Sequence, residues 1–246
     1  MALGKFADLM EQEAVRTNPW VIKSLVAQLY DPSEEVNRLA LQILLHAADH
    51  RRTLELIIEQ QPALLHFGDE GIELLTMFLT HPAGFRFLEE REFIQAELAR
   101  WQEFKALDYV NRVEQLLAVN LTTHSDPAHA KCHDQCSMKP SGSGKLGQVK
   151  TPIHFFGELC QLPAGAHTLD EADVVGGLCE LVYSALDEES SDEQLHSIKA
   201  ALWSLGHIAS SAHGLKLLAP EFFATVTALA ESAPVFSVRG SAYFRR

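Results

Sequence analysis

Residues 155–169 read FFGELCQLPAGAHTL, and the same arrangement recurs at 74–88 (LLTMFLTHPAGFRFL) and 204–218 (SLGHIASSAHGLKLL). Aligned on Gly84, Gly165 and Gly214, the three stretches carry Leu75, Phe156 and Leu205 nine residues before the glycine. Phe78, Leu159 and Ile208 stand six before it, and Leu88, Leu169 and Leu218 four after. The pattern reads as a helix that ends near the glycine. The glycine would supply a left-handed C-cap, and the leucine would anchor the connection to the next helix. Gly165 and Gly214 lie 49 residues apart, near the ~40–47 of armadillo and HEAT repeats. Gly84 and Gly165 lie 81 apart, which fits either one repeat plus an insertion or two repeats. Units of this kind bury their apolar faces only by stacking, which predicts a helical-repeat solenoid with an elongated partner-binding surface. An irregular helical bundle with fortuitous glycine caps is the alternative.

Outward from these stretches, helical periodicity continues. NPWVIKSLVAQLY (18–30) opens with Asn18 as N-cap and Pro19 at the first helical position, where a missing N–H costs nothing. DPSEEVNRLALQILLHAAD (31–49) follows at once. Asp31 is the expected cap, Glu34 completes a capping-box spacing, and Val36, Leu39, Ala40, Ile43, Leu44 and Ala47 form one face. So short a connection predicts antiparallel neighbours. Further helices are expected in 71–81, 91–104, 107–119, 152–162, 171–186, 192–210 and 220–232, with Ser191 and Gln194 at capping-box spacing. Alternating runs of strand length are absent, so the fold class is all-α, with an armadillo/HEAT-like helical repeat solenoid as the architecture.

Composition narrows the function. Of 246 residues, 47% are apolar and 22% charged, the balance of a soluble globular protein. The formal charge of −13, with no Lys/Arg cluster, opposes nucleic-acid binding, because a phosphate backbone is held by grouped cations. The N-terminal residues acquire charge too soon for a secretory signal, and no uncharged run approaches a membrane span. Cys160 and Cys179 sit in apolar helical patterns and read as reduced packing residues of an intracellular protein.

Chemistry is suggested mainly by residues 121–151. His124, His129, Cys132, His133 and Cys136 could converge on zinc. However, no second ligand pair surrounds them, and only Leu121, Met138, Leu146 and Val149 could pack around a metal. The Ser, Gly, Pro and Lys content reads instead as a flexible, metal-free linker, with Ser137, Ser141 and Ser143 open to modification. Gly144-Lys145 is followed by Leu146 rather than Ser or Thr, and Lys139 stands where a phosphate loop needs its first glycine. The acidic run at 187–193 reads as a solvated loop before a helix, while His46 and His207 read as surface or packing histidines. No catalytic, cofactor-binding or metal residue is therefore assigned, and no cofactor. The expected division is 1–120 helical repeats, 121–151 linker and 152–246 helical repeats. In that last segment, Val238, Ala242 and Tyr243 would form an uncovered apolar face on an incomplete repeat.

Several blocks resemble the Rictor family, the scaffold subunits of TOR complex 2. They are WVIKSLVAQLYDPSEEVNRLALQILLHAA, PALLHFGDEGIELLTMFLTHPAGFRFLEE, DYVNRVEQLL, PIHFFGELCQLPAGAHTL, IKAALWSLGHIASSAHGLKLL and VFSVRGSAY, in the family's order. HFFGEL, LWSLGHI and SVRG carry the most weight. The resemblance implies a non-catalytic armadillo/HEAT-type scaffold that binds the TOR kinase and the Sin-type subunit. Such a scaffold directs phosphorylation of AGC-family kinases and organises the actin cytoskeleton. It would be cytoplasmic, and peripheral at the plasma membrane within the complex. Rictor proteins are far longer, so the resemblance also implies a fragment, a short gene model or a divergent form. A helical-repeat adaptor of another pathway and a metal-dependent enzyme are the alternatives.

Overall fold

The computed structural model describes residues 17–122, 151–186, 191–233 and 236–243. Every regular element among them is helical. Helices α1 (Pro19–Gln28) and α2 (Glu34–Ala47) pack together across a short connection, as expected. Asn18 caps α1, its side chain accepting from the Trp20 amide at 3.0 Å. Asp31 does not cap α2. Ser33 occupies the N-cap position, and Asp31 instead accepts from the Ser33 amide at 2.8 Å. That turn spends the Asp31 side chain one step early, so the capping box with Glu34 does not form, and Glu34 pairs with Arg38. An amphipathic α3 (Arg51–Glu59), which the periodicity reading did not separate out, follows.

Two equivalent units come next. The first is α4 (Asp69–Phe78), α5 (Pro82–Glu89) and α6 (Phe93–Arg100). A π-helical turn (Trp101–Lys105) continues α6 into α7 (Ala106–Thr122). The second unit is α8 (Phe155–Leu159), α9 (Pro163–Glu171) and α10 (Val174–Tyr183). Each middle helix starts on a proline, and each third helix is preceded by a residue with positive φ, Glu92 at 57° and Asp173 at 48°. Between Glu92 and the second unit, the described residues form α6, the π turn and α7. After these come α11 (Asp192–Ala209), α12 (Pro220–Ser232) and α13 (Phe236–Tyr243). Ser191 and Gln194 form the expected capping box at the start of α11.

The three aligned glycines are not C-caps. Gly84 and Gly165 lie in the first turns of α5 and α9, and Gly214 opens a 3-10 turn (Gly214–Leu217). The positive-φ glycine among the described residues is Gly68. Their requirement is space. A Cβ at Gly84 would stand 2.3 Å from the Phe78 carbonyl oxygen, at Gly165 1.9 Å from that of Leu159, and at Gly214 2.2 Å from that of Ile208. In each case the obstructing carbonyl belongs to the residue six positions earlier, one of the aligned apolar positions. The register therefore holds, while its cause is close helix packing rather than backbone handedness.

The nine aligned apolar positions are buried in one continuous core that takes in both units and the helices flanking them. The expected exposed face at the C-terminal end is not found. Val238 is 2% and Ala242 0% exposed, because α11 and α12 both cover α13. The side chain of Tyr243 lies outside the described residues, as do residues 187–190 and 123–150, which hold the Cys/His group, the three serines and Gly144-Lys145. Leu121 and Thr122, assigned to the linker from sequence, are the last residues of α7.

Candidate interaction surfaces

The two segments on either side of residues 123–150 meet along a seam of rings. Trp101 comes from the π turn, Tyr109 from α7, His154 from the start of α8, and Trp203 and His207 from α11. The Tyr109 hydroxyl lies 2.7 Å from His207 Nε2 and donates to the Pro152 carbonyl at 3.2 Å. The His154 and His207 rings stack with centroids 4.4 Å apart, and His154 Nε2 lies 3.3 Å from Ser204 Oγ. Trp101 closes the cluster 4.5 Å from the His154 ring. Lys199 adds an ion pair to Glu114 at 2.6 Å across the same joint. His207 is thus the packing histidine its apolar surroundings suggested, whereas His46 is exposed.

Beside the seam sits a buried charge that the periodicity did not reveal. Glu97 is 0% exposed, and its two carboxylate oxygens are held by Arg100 at 2.6 Å and Lys105 at 2.7 Å. Burying a carboxylate is costly unless cations and hydrogen bonds replace its water, and this site supplies both. Arg100 is within ordinary helical reach. Lys105, eight residues on, reaches Glu97 through the wider π-helical turn.

Two open clefts flank the π turn. One, of about 510 Å³, lies between α4 and α7 and mixes Asp69, Glu73 and Asp108 with Lys105 and Arg112. The other, of about 340 Å³, lies between the π turn and α10 and is mainly apolar. Neither gathers a catalytic constellation, and among the described residues no group of three or more His, Cys, Asp or Glu is placed to hold a metal. Cys160 is buried, and that burial pushes its thiol up to about 12. Cys179 is half-buried and raised by the same cause. Both are packing thiols, as expected.

Residues 16–123 match the family described as Rapamycin-insensitive companion of mTOR RasGEF_N domain, and residues 196–245 match Rapamycin-insensitive companion of mTOR, domain 5. The chain is 34% identical over 229 residues to the human protein named Rapamycin-insensitive companion of mTOR, an alignment that covers 92% of this chain. The chain belongs to the Rictor family. It is also 30% identical over 92% of its length to Target of rapamycin complex 2 subunit ste20 of Schizosaccharomyces pombe. Identity is 25% over 98% to subunit TSC11 of Saccharomyces cerevisiae. These alignments span 13% of the human relative, 17% of ste20 and 16% of TSC11. In this Rictor-family chain the seam joins the two matched regions directly, since Tyr109 and Glu114 lie in the first, and His207 and Lys199 in the second. No helix among the described residues is long and apolar enough to cross a membrane.

Proposed function

We propose that the chain serves as part of a non-catalytic scaffold in TOR complex 2, contacting the TOR kinase and the Sin-type subunit. Through them it would direct phosphorylation of AGC-family kinases and organisation of the actin cytoskeleton. The observation that carries this reading is the 34% identity across 92% of the chain to a companion of mTOR, supported by two relatives named as TOR complex 2 subunits. The geometry supports it too. Two family-matched regions are locked into one helical body, which carries an apolar groove open to a partner. In this reading the chain works in the cytoplasm and reaches the plasma membrane only within the complex. Residues 1–122 and 152–246 are its helical parts and 123–151 a metal-free connector, with no catalytic, cofactor or metal residue.

Affinity capture tests the proposal. The tagged chain, expressed in cells, should recover TOR kinase and its Sin-type partner above the level of an unrelated helical-repeat protein. Reproducible absence of the kinase, while a full-length relative recovers it in parallel, would contradict the reading. Zinc measured at one equivalent in untagged protein, and lost in Cys132→Ser/Cys136→Ser, would contradict the metal-free connector.

A further inference from the structure

The apolar cleft between the π turn and α10 has the features of a peptide-docking groove. Its floor comes from Trp101, Phe156, Leu178 and Ala201. At its mouth Phe104 is 44% and Leu181 40% exposed, so two large apolar side chains meet water side by side at one opening. The π turn places Phe104 there. Its i→i+5 bonding widens the turn, so Phe104 leaves the face on which Trp101 is buried. At about 340 Å³ the groove is at the small end of ligand clefts, with room for a few bulky side chains rather than a large cofactor.

Charge selects the occupant. The ionisable side chains lining the groove are Glu103 and Asp173, both acidic, and neither is ion-paired among the described residues. No cation lines the site to hold a phosphate or an acidic peptide. The walls are helices, so no strand edge is offered for an extended peptide to join, and side-chain anchors must carry recognition. We propose that this groove docks a short amphipathic helix of a partner protein, presenting two bulky apolar side chains at three- or four-residue spacing beside a lysine or arginine. The anchors displace water from Phe104 and Leu181, and the cation sits between Glu103 and Asp173. The proposal concerns the purified chain and stands apart from membership of TOR complex 2.

Gly177 provides the blocking variant. A Cβ built there meets nothing within 4 Å, so Gly177→Trp enters the groove without a clash at its Cβ, and removing a helical glycine should leave the unfolding midpoint unchanged or raised. A randomised short-peptide library displayed on phage is selected on the full chain and counter-selected on Gly177→Trp. Enriched peptides should carry paired Leu, Ile, Phe or Trp at helical spacing with an adjacent Lys or Arg. A fluorescein-labelled synthetic copy should bind Gly177→Trp about tenfold more weakly than the parent. It should also lose affinity several-fold toward Glu103→Lys and toward Asp173→Asn, the latter a residue that tolerates the positive φ. Four results would overturn the proposal: no enrichment, enrichment that survives on Gly177→Trp, enrichment of acidic peptides, or self-association of the chain abolished by Gly177→Trp. The last would assign the groove to a second copy.

Discussion

The units α4–α6 and α8–α10 share a backbone plan but place their charges at opposite positions. Each has a glycine pressed on the carbonyl six residues back, a proline opening the middle helix and a positive-φ residue before the third. Yet the position of Glu97 in the first unit is taken by Leu178 in the second, and that of Glu158 in the second by Met77 in the first. Glu97 is buried and clamped by two cations. Glu158 is half-buried, and desolvation alone raises its carboxyl above the usual range. The difference teaches that the repeat constrains close approach and leaves side-chain chemistry to each unit's neighbours.

The shared feature should give the largest effect. Gly165→Val drives a branched side chain into the Leu159 carbonyl and should destabilise the chain by about 3 kcal/mol or more, measured by denaturant unfolding. Gly84→Val should be comparable. Gly177→Ala, with open space around its Cβ, should instead stabilise by about 0.5–1 kcal/mol. A loss at Gly84 much smaller than at Gly165 would break the equivalence of the units, and a loss at Gly177 would contradict close approach as its cause.

Importing the second unit's residue into the first sharpens the contrast. Glu97→Leu strands Lys105, whose side chain is largely buried, and should cost about 2 kcal/mol, less than a fully buried pair because Arg100 is half-exposed. Adding Lys105→Met should recover much of that loss, since an apolar pair replaces a charge without its partner. Failure of the second change to help would show that Glu97 acts through something other than Lys105.

Much of this plan was legible in the sequence. The register of Gly84, Gly165 and Gly214 could be read directly, because the residue six positions earlier is a large apolar side chain in every case. Its cause could not, since a glycine demanded by a neighbouring carbonyl and one demanded by positive φ look alike in one dimension. Helices α5 and α9 were hidden for a related reason: Pro-Ala-Gly at their starts reads as punctuation, although proline is at home in a first helical turn. The Tyr109–His207 contact joins residues 98 apart, and the Glu97–Lys105 pair needs a π turn that has no sequence signature here. The burial of Val238 and Ala242 depended on the reach of α11, which periodicity within the last helix does not encode.

At the seam between the two segments, Tyr109→Phe keeps the ring but removes the hydroxyl shared with His207 and Pro152. It should cost about 1 kcal/mol in thermal unfolding, the scale of one hydrogen bond. An unchanged midpoint would show that this hydroxyl adds nothing to the ring packing and the Glu114–Lys199 pair. The smallest effect belongs to Glu158→Met, which imports the first unit's residue. Because burial raises the Glu158 carboxyl above its unfolded value, the folded chain holds that proton more tightly than the unfolded one. Its ionised form therefore costs stability at neutral pH, and the cost fades as pH falls toward the ordinary carboxylate range. Glu158→Met should stabilise slightly at neutral pH and make no difference in acid. A gain independent of pH would point to packing rather than charge.

That the two family-matched segments form one body can be tested most directly by dividing the chain. Residues 1–122 and 151–246 are co-expressed as separate polypeptides with a tag on only one, and the purified material is analysed by size-exclusion chromatography with light scattering. The seam of Trp101, Tyr109, His154 and His207 and the Glu114–Lys199 pair predict a one-to-one complex that co-purifies and unfolds in a single transition. Recovery of the tagged piece alone, folded and monomeric, would contradict the account and make the chain two independent domains.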